Sequence, residues 1–220
     1  MLPRKHRLSL LAVCEPVQLV LGEVLCEPAT RTRYAYLPTD GFISLVACVE
    51  GERRLEVGMV GREGMLGVQL ALGVMTAPLH AVVQGPGAAW RVGAGALRRE
   101  LAHNAALRLV LDRYIYVLMT QLAASATCLR FHLIGPRLAR WLLMSQDRAH
   151  ADGFQVTQQF LAYMLGVRRV GVTTAAVALQ RRGLIEYRRG ELTVLDRRRL
   201  EVVACSCYAS DRAAYADLIG

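Results

Sequence analysis

The sequence predicts an α+β protein with a β-rich N-terminal region, one long helix and a C-terminal winged helix-turn-helix. Three observations support this prediction. Short apolar runs separated by glycine, proline and charged turns fill residues 15–92. An apolar stripe at helical spacing follows within residues 107–131. Two helical runs and a basic hairpin then succeed one another within residues 154–195.

The N-terminal region is typical of a small β-barrel or sandwich. Its strand-like runs are short and closely spaced, as in such folds. They are residues 17–21, 34–37, 42–49, 55–60, 80–84 and 88–92, and a charged turn at residues 50–52 separates the third from the fourth. Leu55, Val57 and Met59 alternate with polar or small residues, which indicates a strand with one buried face.

A long helical run extends from near Ala94 to about His132. One apolar stripe advances by steps of three and four, as in a heptad repeat, through Leu107, Val110, Tyr114, Val117, Gln121, Ala124, Cys128 and Phe131. A second stripe, beside it, consists of Leu111, Leu118, Leu122, Ser125 and Leu129. Because a helix with so wide an apolar face needs two partners, we expect it to pack on its own domain and, through residues 107–131, on a second copy. The alternative is an ordinary buried core helix.

The first helix of the C-terminal motif begins after Thr157, whose hydroxyl can cap a helix. Leu161, Met164 and Leu165 follow at helical spacing. Gly166 then interrupts the run, as a tight turn with positive φ requires.

A second helical run follows at once and places Val172, Ala176 and Leu179 on one face before it ends at Gly183. Two β-like segments come next, residues 184–187 and 191–195, with Arg188-Arg189-Gly190 between them. This order is typical of a winged helix-turn-helix, whose second helix enters the major groove. The pattern alone also fits a helical hairpin and a β-hairpin with a solvated arginine face.

The charge distribution favours a nucleic-acid partner. The net charge is +9, and residues 154–200 contain nine arginines and three acidic residues, a balance of +6. Such a patch fits a phosphate footprint, although an anionic membrane surface or simple solvation would suit it too. No run approaches the ~20 apolar residues of a membrane helix. The apolar stretch at residues 8–14 is short for an export signal, so we expect a cytoplasmic protein without a membrane partner.

Catalytic and metal-binding motifs are absent from the sequence. The five histidines are dispersed, and there is no GxSxG, P-loop or dinucleotide-type glycine turn. The six cysteines form no CxxC pair and have no metal spacing with histidine. We therefore expect no enzyme, no cofactor and no metal. Cys205 and Cys207 are the one close pair. They form either a redox switch or, as we favour, part of a C-terminal tail that has no chemical role.

Residues 154–195 resemble the DNA-binding end of the Crp/Fnr family of bacterial transcription regulators. The matching positions are Val156, Thr157, Leu161, Gly166, Arg169, Val172, Leu179 and Gly183 to Ile185. The family's recognition run, Arg-Glu-Thr-Val-x-Arg, is here Arg-Val-Gly-Val-Thr-Thr from Arg169 to Thr174, so the first arginine is kept but the glutamate and the last arginine are not. The resemblance implies base contacts from Arg169, then from Arg168, Thr173 and Thr174. It implies phosphate contacts from Gln158, Gln159, Arg188 and Arg189.

The resemblance extends to the N-terminal half, which it implies to be a jelly roll of the cyclic-nucleotide-binding type. Residues 36–41 and 61–67 resemble its glycine-marked turns. Members that bind cyclic AMP use a glutamate, an Arg-Ser pair and a Thr-Ser pair; the corresponding positions here are Met65, Leu79-His80 and Leu122-Ala123. We therefore expect no cyclic AMP binding of the usual kind. Any effector pocket would involve Met65, Leu66, Leu79, His80, Leu122 and Ala123, with residues 68–78 either lining it or forming ordinary core.

The resemblance covers nearly the whole chain and implies three regions. These are a jelly-roll sensor domain at residues 1–103, a dimerisation helix and hinge at 104–134, and the winged helix-turn-helix domain at 135–220. The implied function is a homodimer that binds palindromic operator DNA and contacts RNA polymerase. The rival is an effector-sensing or scaffold protein whose winged domain binds a protein partner.

Overall fold

The structure is a computed structural model, and it describes residues 2–48 and 54–219. Val49 and the turn predicted at residues 50–52 lie outside the described residues. The strands are β1 (Glu15–Leu19), β2 (Val24–Cys26), β3 (Tyr34–Pro38), β4 (Phe42–Cys48), β5 (Arg54–Val60), β6 (His80–Gly85), β7 (Gly87–Gly93), β8 (Gly153–Gln155), β9 (Ile185–Arg188) and β10 (Glu191–Val194). The helices are α1 (Arg4–Leu11), α2 (Ala94–His103), α3 (Ala105–Phe131), α4 (Ile134–Ala149), α5 (Gln158–Leu165), α6 (Arg169–Arg181), α7 (Arg197–Val203) and α8 (Cys207–Leu218).

The N-terminal half is the double-sheet jelly roll that the resemblance implied. One antiparallel sheet has the strand order β2-β6-β4-β5 and the other the order β1-β7-β3. Ile43 and Val83 from the first sheet meet Leu19 and Ala89 from the second in a buried interior. Every predicted strand is present, but the first ends at Leu19, because Val20 and Leu21 turn outward. Strand β2 was not predicted, since three residues are too few to show alternation.

The predicted long helical run is two helices separated at Asn104. The Asn104 side chain accepts a hydrogen bond from the Leu107 N–H at 3.0 Å and donates one to Glu100 at 2.8 Å, so it caps α3. The buried face of α3 consists of Leu107, Leu111, Tyr114, Val117, Gln121, Ser125 and Cys128. This face contains members of both predicted stripes. Leu109, Tyr116 and Met119 instead point outward.

Helix α4 forms the centre of the C-terminal half. Its Leu138 and Leu142 pack with Leu161 of α5 and Val172 of α6 in a cluster that we call the C-terminal core. Phe42 of β4 and Met59 of β5 join the same cluster. The C-terminal half is therefore packed directly against the jelly roll. Its own small sheet has the order β8-β10-β9, in which the three-residue β8 was not predicted.

The last helix, α8, contacts both halves of the molecule. Its Tyr208 is buried in the C-terminal core. Tyr215 and Ile219 pack against a second cluster, the N-terminal core, which includes Leu97 and Leu111. The first and last turns of α8 thus belong to different cores.

Buried ion pairs stabilise the packing of α4 against α8 and against the jelly roll. Arg140 of α4 donates to the Asp211 carboxylate of α8 at 2.6 Å and 3.2 Å, and both side chains are almost fully buried. Arg148, also of α4, donates to Glu63 in a jelly-roll turn at 2.8 Å and to the Tyr215 hydroxyl at 3.4 Å. Polar contacts therefore link α4 to α8 and to the jelly roll.

Within residues 2–48 and 54–219, no single helix has the length and apolar character needed to cross a membrane. The pair α5 and α6 reaches that threshold only when joined, and the two helices meet at an angle of 107°.

Candidate DNA-binding surface and effector cavity

Helices α5 and α6 form the predicted helix-turn-helix. The Thr157 hydroxyl accepts a hydrogen bond from the Phe160 N–H at 3.1 Å, which confirms the predicted cap. Gly166 has a φ of 61°, in the left-handed region expected for the turn. Val172 and Leu179 are buried on the predicted apolar face of α6. The angle of 107° between the helices is usual for a helix-turn-helix.

The N-terminal turn of α6 is exposed and positively charged. Arg168 occupies the N-cap position, Arg169 is the first helical residue, and the turn contains no acidic side chain. The helix dipole and free N–H groups at such an end favour anions. Arg168, Arg169 and Thr174 are all exposed. This turn is therefore suited to a phosphate or to the acceptor edge of a base.

Val170 was missed as a site residue by the sequence analysis. Its side chain is 69% exposed in the first turn of α6, between Arg169 and Thr174. An apolar group in that place can contact a thymine methyl group in the major groove. The signal was present, because a valine at the helix position that faces away from the core has no packing role.

Thr173 and Gln158 contact each other. The Thr173 hydroxyl lies 2.7 Å from the Gln158 side-chain carbonyl and 3.1 Å from the Arg169 carbonyl, and it can donate to either. Both side chains are half-buried, whereas Gln159 is exposed. The contact joins the start of α5 to the start of α6 and leaves the Gln158 amide N–H groups available as donors.

The wing is a tight hairpin, since only two residues connect β9 to β10. Arg189 and Gly190 have φ values of 51° and 84°, as a type I′ turn requires. Arg188 is the last residue of β9, and its side chain is 80% exposed beside Glu186 at 2.9 Å. The observed connection, residues 189–190, is thus one residue shorter than the predicted connection, residues 188–190.

Hydrogen bonds hold the wing against the start of the helix-turn-helix. The Tyr187 hydroxyl donates to the Val156 carbonyl at 2.7 Å, and the Val156 N–H donates to the Gly190 carbonyl at 2.7 Å. Burial raises the pKa of Tyr187, and the nearby charge of Arg169 opposes that rise. Arg169 and the wing therefore lie on the same side of the domain.

A cavity of about 200 Å³ lies between the jelly roll and α3. Met65, Leu66, Leu79 and Leu122 line it, together with residues of the apolar segment 68–78. Its lining is almost wholly apolar, with the amides of Gln69 and Gln121 as polar exceptions. Among the described residues, the buried Gln121 amide nitrogen has no hydrogen-bond partner.

The other two predicted pocket residues lie elsewhere. His80 is buried, with its Nδ1 atom 2.9 Å from a Glu27 carboxylate oxygen, outside the cavity lining. Ala123 lies on the exposed face of α3. The structure thus brings four of the six predicted residues together at the cavity.

The C-terminal half of the chain matches a known family. Residues 136–203 match the family model described as a Crp-like helix-turn-helix domain. No curated protein matches the sequence.

Solved structures share the fold over most of the chain. FixK2 from Bradyrhizobium japonicum has a TM-score of 0.73 at 15% identity, covering 88% of this chain and 98% of that chain. The c-di-GMP-responsive regulator CLP from Xanthomonas campestris has a TM-score of 0.70 at 18% identity, covering 88% and 100%. A putative Crp/Fnr regulator from Eubacterium rectale has a TM-score of 0.67 at 16% identity, covering 92% and 94%.

The jelly roll, long helix and helix-turn-helix define a protein of the Crp/Fnr transcription-regulator fold. Within it, residues 136–203 are a Crp-like helix-turn-helix domain. The resemblance inferred from the sequence is confirmed.

Proposed function

We propose that this protein is a transcription regulator that binds palindromic operator DNA as a homodimer in the cytoplasm. The observation that carries the proposal is the N-terminal turn of α6, where Arg168 and Arg169 are exposed, unopposed by an acidic side chain, and on the same side as the wing. In this proposal residues 1–103 form the sensor, residues 104–134 the dimerisation helix and hinge, and residues 135–220 the DNA-binding domain.

The residues of the surface divide into base readers and phosphate contacts. Arg169 can donate two hydrogen bonds to guanine, and Arg168 and Thr174 reach neighbouring positions. Thr173 supports them indirectly, because its hydroxyl contacts Gln158. Phosphate contacts come from the free amide N–H groups of Gln158, and from Gln159, Arg188 and Arg189.

The exposed face of α3 supports a homodimer. Leu109, Tyr116 and Met119 are 53%, 61% and 62% exposed. With Ala123 and Ala126 they follow the a and d positions of a heptad, so two parallel copies of α3 can bury this seam. A two-fold pairing places the two α6 helices about one DNA turn apart, as a palindrome requires. Met119→Glu should convert the dimer to a monomer in sedimentation experiments.

The cavity supports an effector other than cyclic AMP. Its lining contains no arginine, so a cyclic phosphate bound there would have no charged side chain to donate two hydrogen bonds to it. An apolar ligand with one hydrogen-bond acceptor matches the lining and the free amide N–H of Gln121. Such a ligand would bias two arrangements of the dimer through α3. Calorimetry with cyclic AMP should give no heat of binding, and micromolar affinity would contradict this part of the proposal.

The test of DNA binding is selection of bound sequences from a random duplex library at two salt concentrations. We expect a palindromic motif at both, with affinity falling log-linearly as salt rises. Arg169→Ala should cost about 1–3 kcal/mol and relax the preference at one base pair, whereas Arg189→Ala should weaken all sequences alike. Equal effects of the two substitutions on the selected and random duplexes would refute the assignment of Arg169.

The rival function, a winged domain that binds a protein partner, gives a different result in the same experiment. No sequence would be enriched, and Arg169→Ala would leave the weak residual binding to duplex DNA unchanged. Contact with RNA polymerase is a further part of the proposal. It is tested by transcription from a template that carries the selected site upstream of a promoter.

A further inference from the structure

Three cysteines and one histidine converge where α3 ends and α8 begins. Cys128 lies in the last turn of α3, His132 follows the end of that helix, and Cys205 and Cys207 flank the N-cap of α8. Their ligand atoms all lie within 4.8 Å of one another. The Cys128 and Cys205 sulfurs are 3.5 Å apart, and the Cys207 sulfur is 3.6 Å from His132 Nδ1.

The separations of 3.5 Å and 3.6 Å are close to those of a tetrahedral zinc site. With Zn–S bonds of about 2.3 Å and Zn–N bonds of about 2.0–2.1 Å, two sulfurs lie about 3.8 Å apart and a sulfur and a nitrogen about 3.6 Å. The observed values of 3.5 Å and 3.6 Å need only small side-chain adjustments. An iron–sulfur cluster would hold its ligands further apart, because several inorganic atoms lie between them.

The surroundings stabilise thiolates, the form in which cysteine binds a metal. Arg137 and Arg140 are both 8% exposed, and their charges interact with Cys128 and Cys205. Cys207 is the first residue of α8, at the positive end of that helix.

The Cys128 and Cys205 sulfurs are 3.5 Å apart, within hydrogen-bond distance of each other. Metal binding at cysteine sites releases the thiol protons, so a soft divalent cation would replace this hydrogen bond with two metal–sulfur bonds.

We propose that Cys128, His132, Cys205 and Cys207 bind one zinc ion in a tetrahedral site. Three thiolates and one imidazole are a ligand set that selects zinc among the divalent cations. Because the protein supplies all four ligands, the site is structural and leaves no position for a substrate. It would join the end of α3, the α3–α4 connection and the start of α8.

The sequence analysis missed this site and expected no metal. Its criterion was ligand spacing along the chain, and the one histidine near Cys128 in sequence is His132, four positions further on and just beyond the end of α3. The remaining ligands lie in the tail, with Cys128 and Cys205 separated by 77 positions. Only the packing of α8 against α3 brings the two pairs together.

The experiment uses the full chain, reduced and stripped with a chelator, and then titrated with cobalt(II) as a spectroscopic substitute for zinc. We expect uptake of about one ion per chain with thiolate-to-cobalt charge-transfer bands and strong tetrahedral ligand-field bands. Added zinc should remove both sets of bands. Because no DNA is present, the result is independent of the proposed function.

Single-ligand variants locate the site. Cys207→Ser and His132→Ala should each weaken metal affinity by at least about 100-fold, since removing a ligand costs more than removing its outer-shell support. His132 is only half-buried, so its substitution should leave the circular dichroism spectrum unchanged. Cys48→Ser, which alters an exposed cysteine of β4, is the matched control and should bind cobalt as the parent does.

Two outcomes would overturn the proposal. One is a cobalt spectrum without thiolate charge transfer, or one that is the same in Cys207→Ser as in Cys48→Ser. The other is a fully reduced chain that takes up no zinc but forms a disulfide between Cys128 and Cys205 on oxidation, which would make the cluster a redox pair.

Discussion

Removing the Asp211 carboxylate should destabilise the protein severely, because it leaves a buried arginine without its partner. Arg140 donates two hydrogen bonds to Asp211, at 2.6 Å and 3.2 Å, and the two side chains are 9% and 5% exposed. An arginine remains charged even when buried. We therefore expect Asp211→Ala to lower the free energy of unfolding by about 3–5 kcal/mol.

Replacing both partners should cost much less. Burial raises the pKa of Asp211, and Arg140 offsets only part of that rise, so the pair is expensive to remove from water. The double variant Arg140→Met with Asp211→Leu loses the attraction between the two charges, and it also avoids the cost of removing both charges from water. We expect its free energy of unfolding to lie within about 1 kcal/mol of the parent.

Urea unfolding followed by tryptophan fluorescence measures these changes, since Trp141 is buried in the C-terminal core. Arg212→Ala on the same helix is the control. It removes an exposed ion pair with Glu201 at 3.5 Å and should cost less than about 0.5 kcal/mol. A loss below about 1 kcal/mol in Asp211→Ala, or a double variant as unstable as the single one, would refute the reasoning.

Substitutions at three further positions have defined outcomes. Burial raises the pKa of Glu56 from 4.5 to about 7, so its ionisation weakens the fold as the pH rises through that window. Glu56→Gln should therefore stabilise the protein by up to about 3 kcal/mol at pH 8 and by nothing at pH 4, as urea titrations at both pH values would show. Arg189 has a φ of 51°, a backbone conformation that asparagine adopts more readily. Arg189→Asn should therefore raise the free energy of unfolding by about 0.5 kcal/mol, measured by thermal unfolding, and weaken binding to all DNA sequences. An unchanged free energy of unfolding would argue against strain at the turn. Thr157→Ala should cost about 1 kcal/mol in urea unfolding and Thr157→Ser almost nothing, and equal losses would show that the cap is not the cause.

The helix-turn-helix was predictable from the sequence because its determinants are local. Thr157 caps α5 through a residue three positions away, and Gly166 and Gly183 supply positive φ at the helix ends. Each of these signals acts within one helical turn. The positions that face the core and those that face solvent could therefore be read directly, apart from Val170.

The long helix was only half predictable. Periodicity indicated the helix, but apolar residues occupy most of its circumference, so the pattern could not say which face meets the jelly roll. The polar Gln121 and Ser125 lie on the buried face, whereas Tyr116 and Met119 lie outside. That choice depends on tertiary partners, among them the Val57 carbonyl that accepts a hydrogen bond from Ser125 at 3.0 Å.

The candidate sites also differ in how far they could be predicted from the sequence. The candidate DNA-binding surface belongs to one contiguous stretch of chain and was inferred before the fold was known. The candidate effector cavity and the proposed zinc site each combine α3 with segments distant in sequence. His80 illustrates the difficulty, because a residue beside Leu79 in the chain points to Glu27 and away from the cavity.

The placement of α8 limits how this molecule can transmit a signal. One end of the helix is anchored by Tyr208 in the C-terminal core, and the other by Tyr215 against the N-terminal core. A rigid rod fixed at both ends does not allow the two bodies to rotate independently. Reorientation of the C-terminal half therefore requires α8 to detach at one end. An effector of the kind proposed for the cavity would have to supply at least the energy of that attachment.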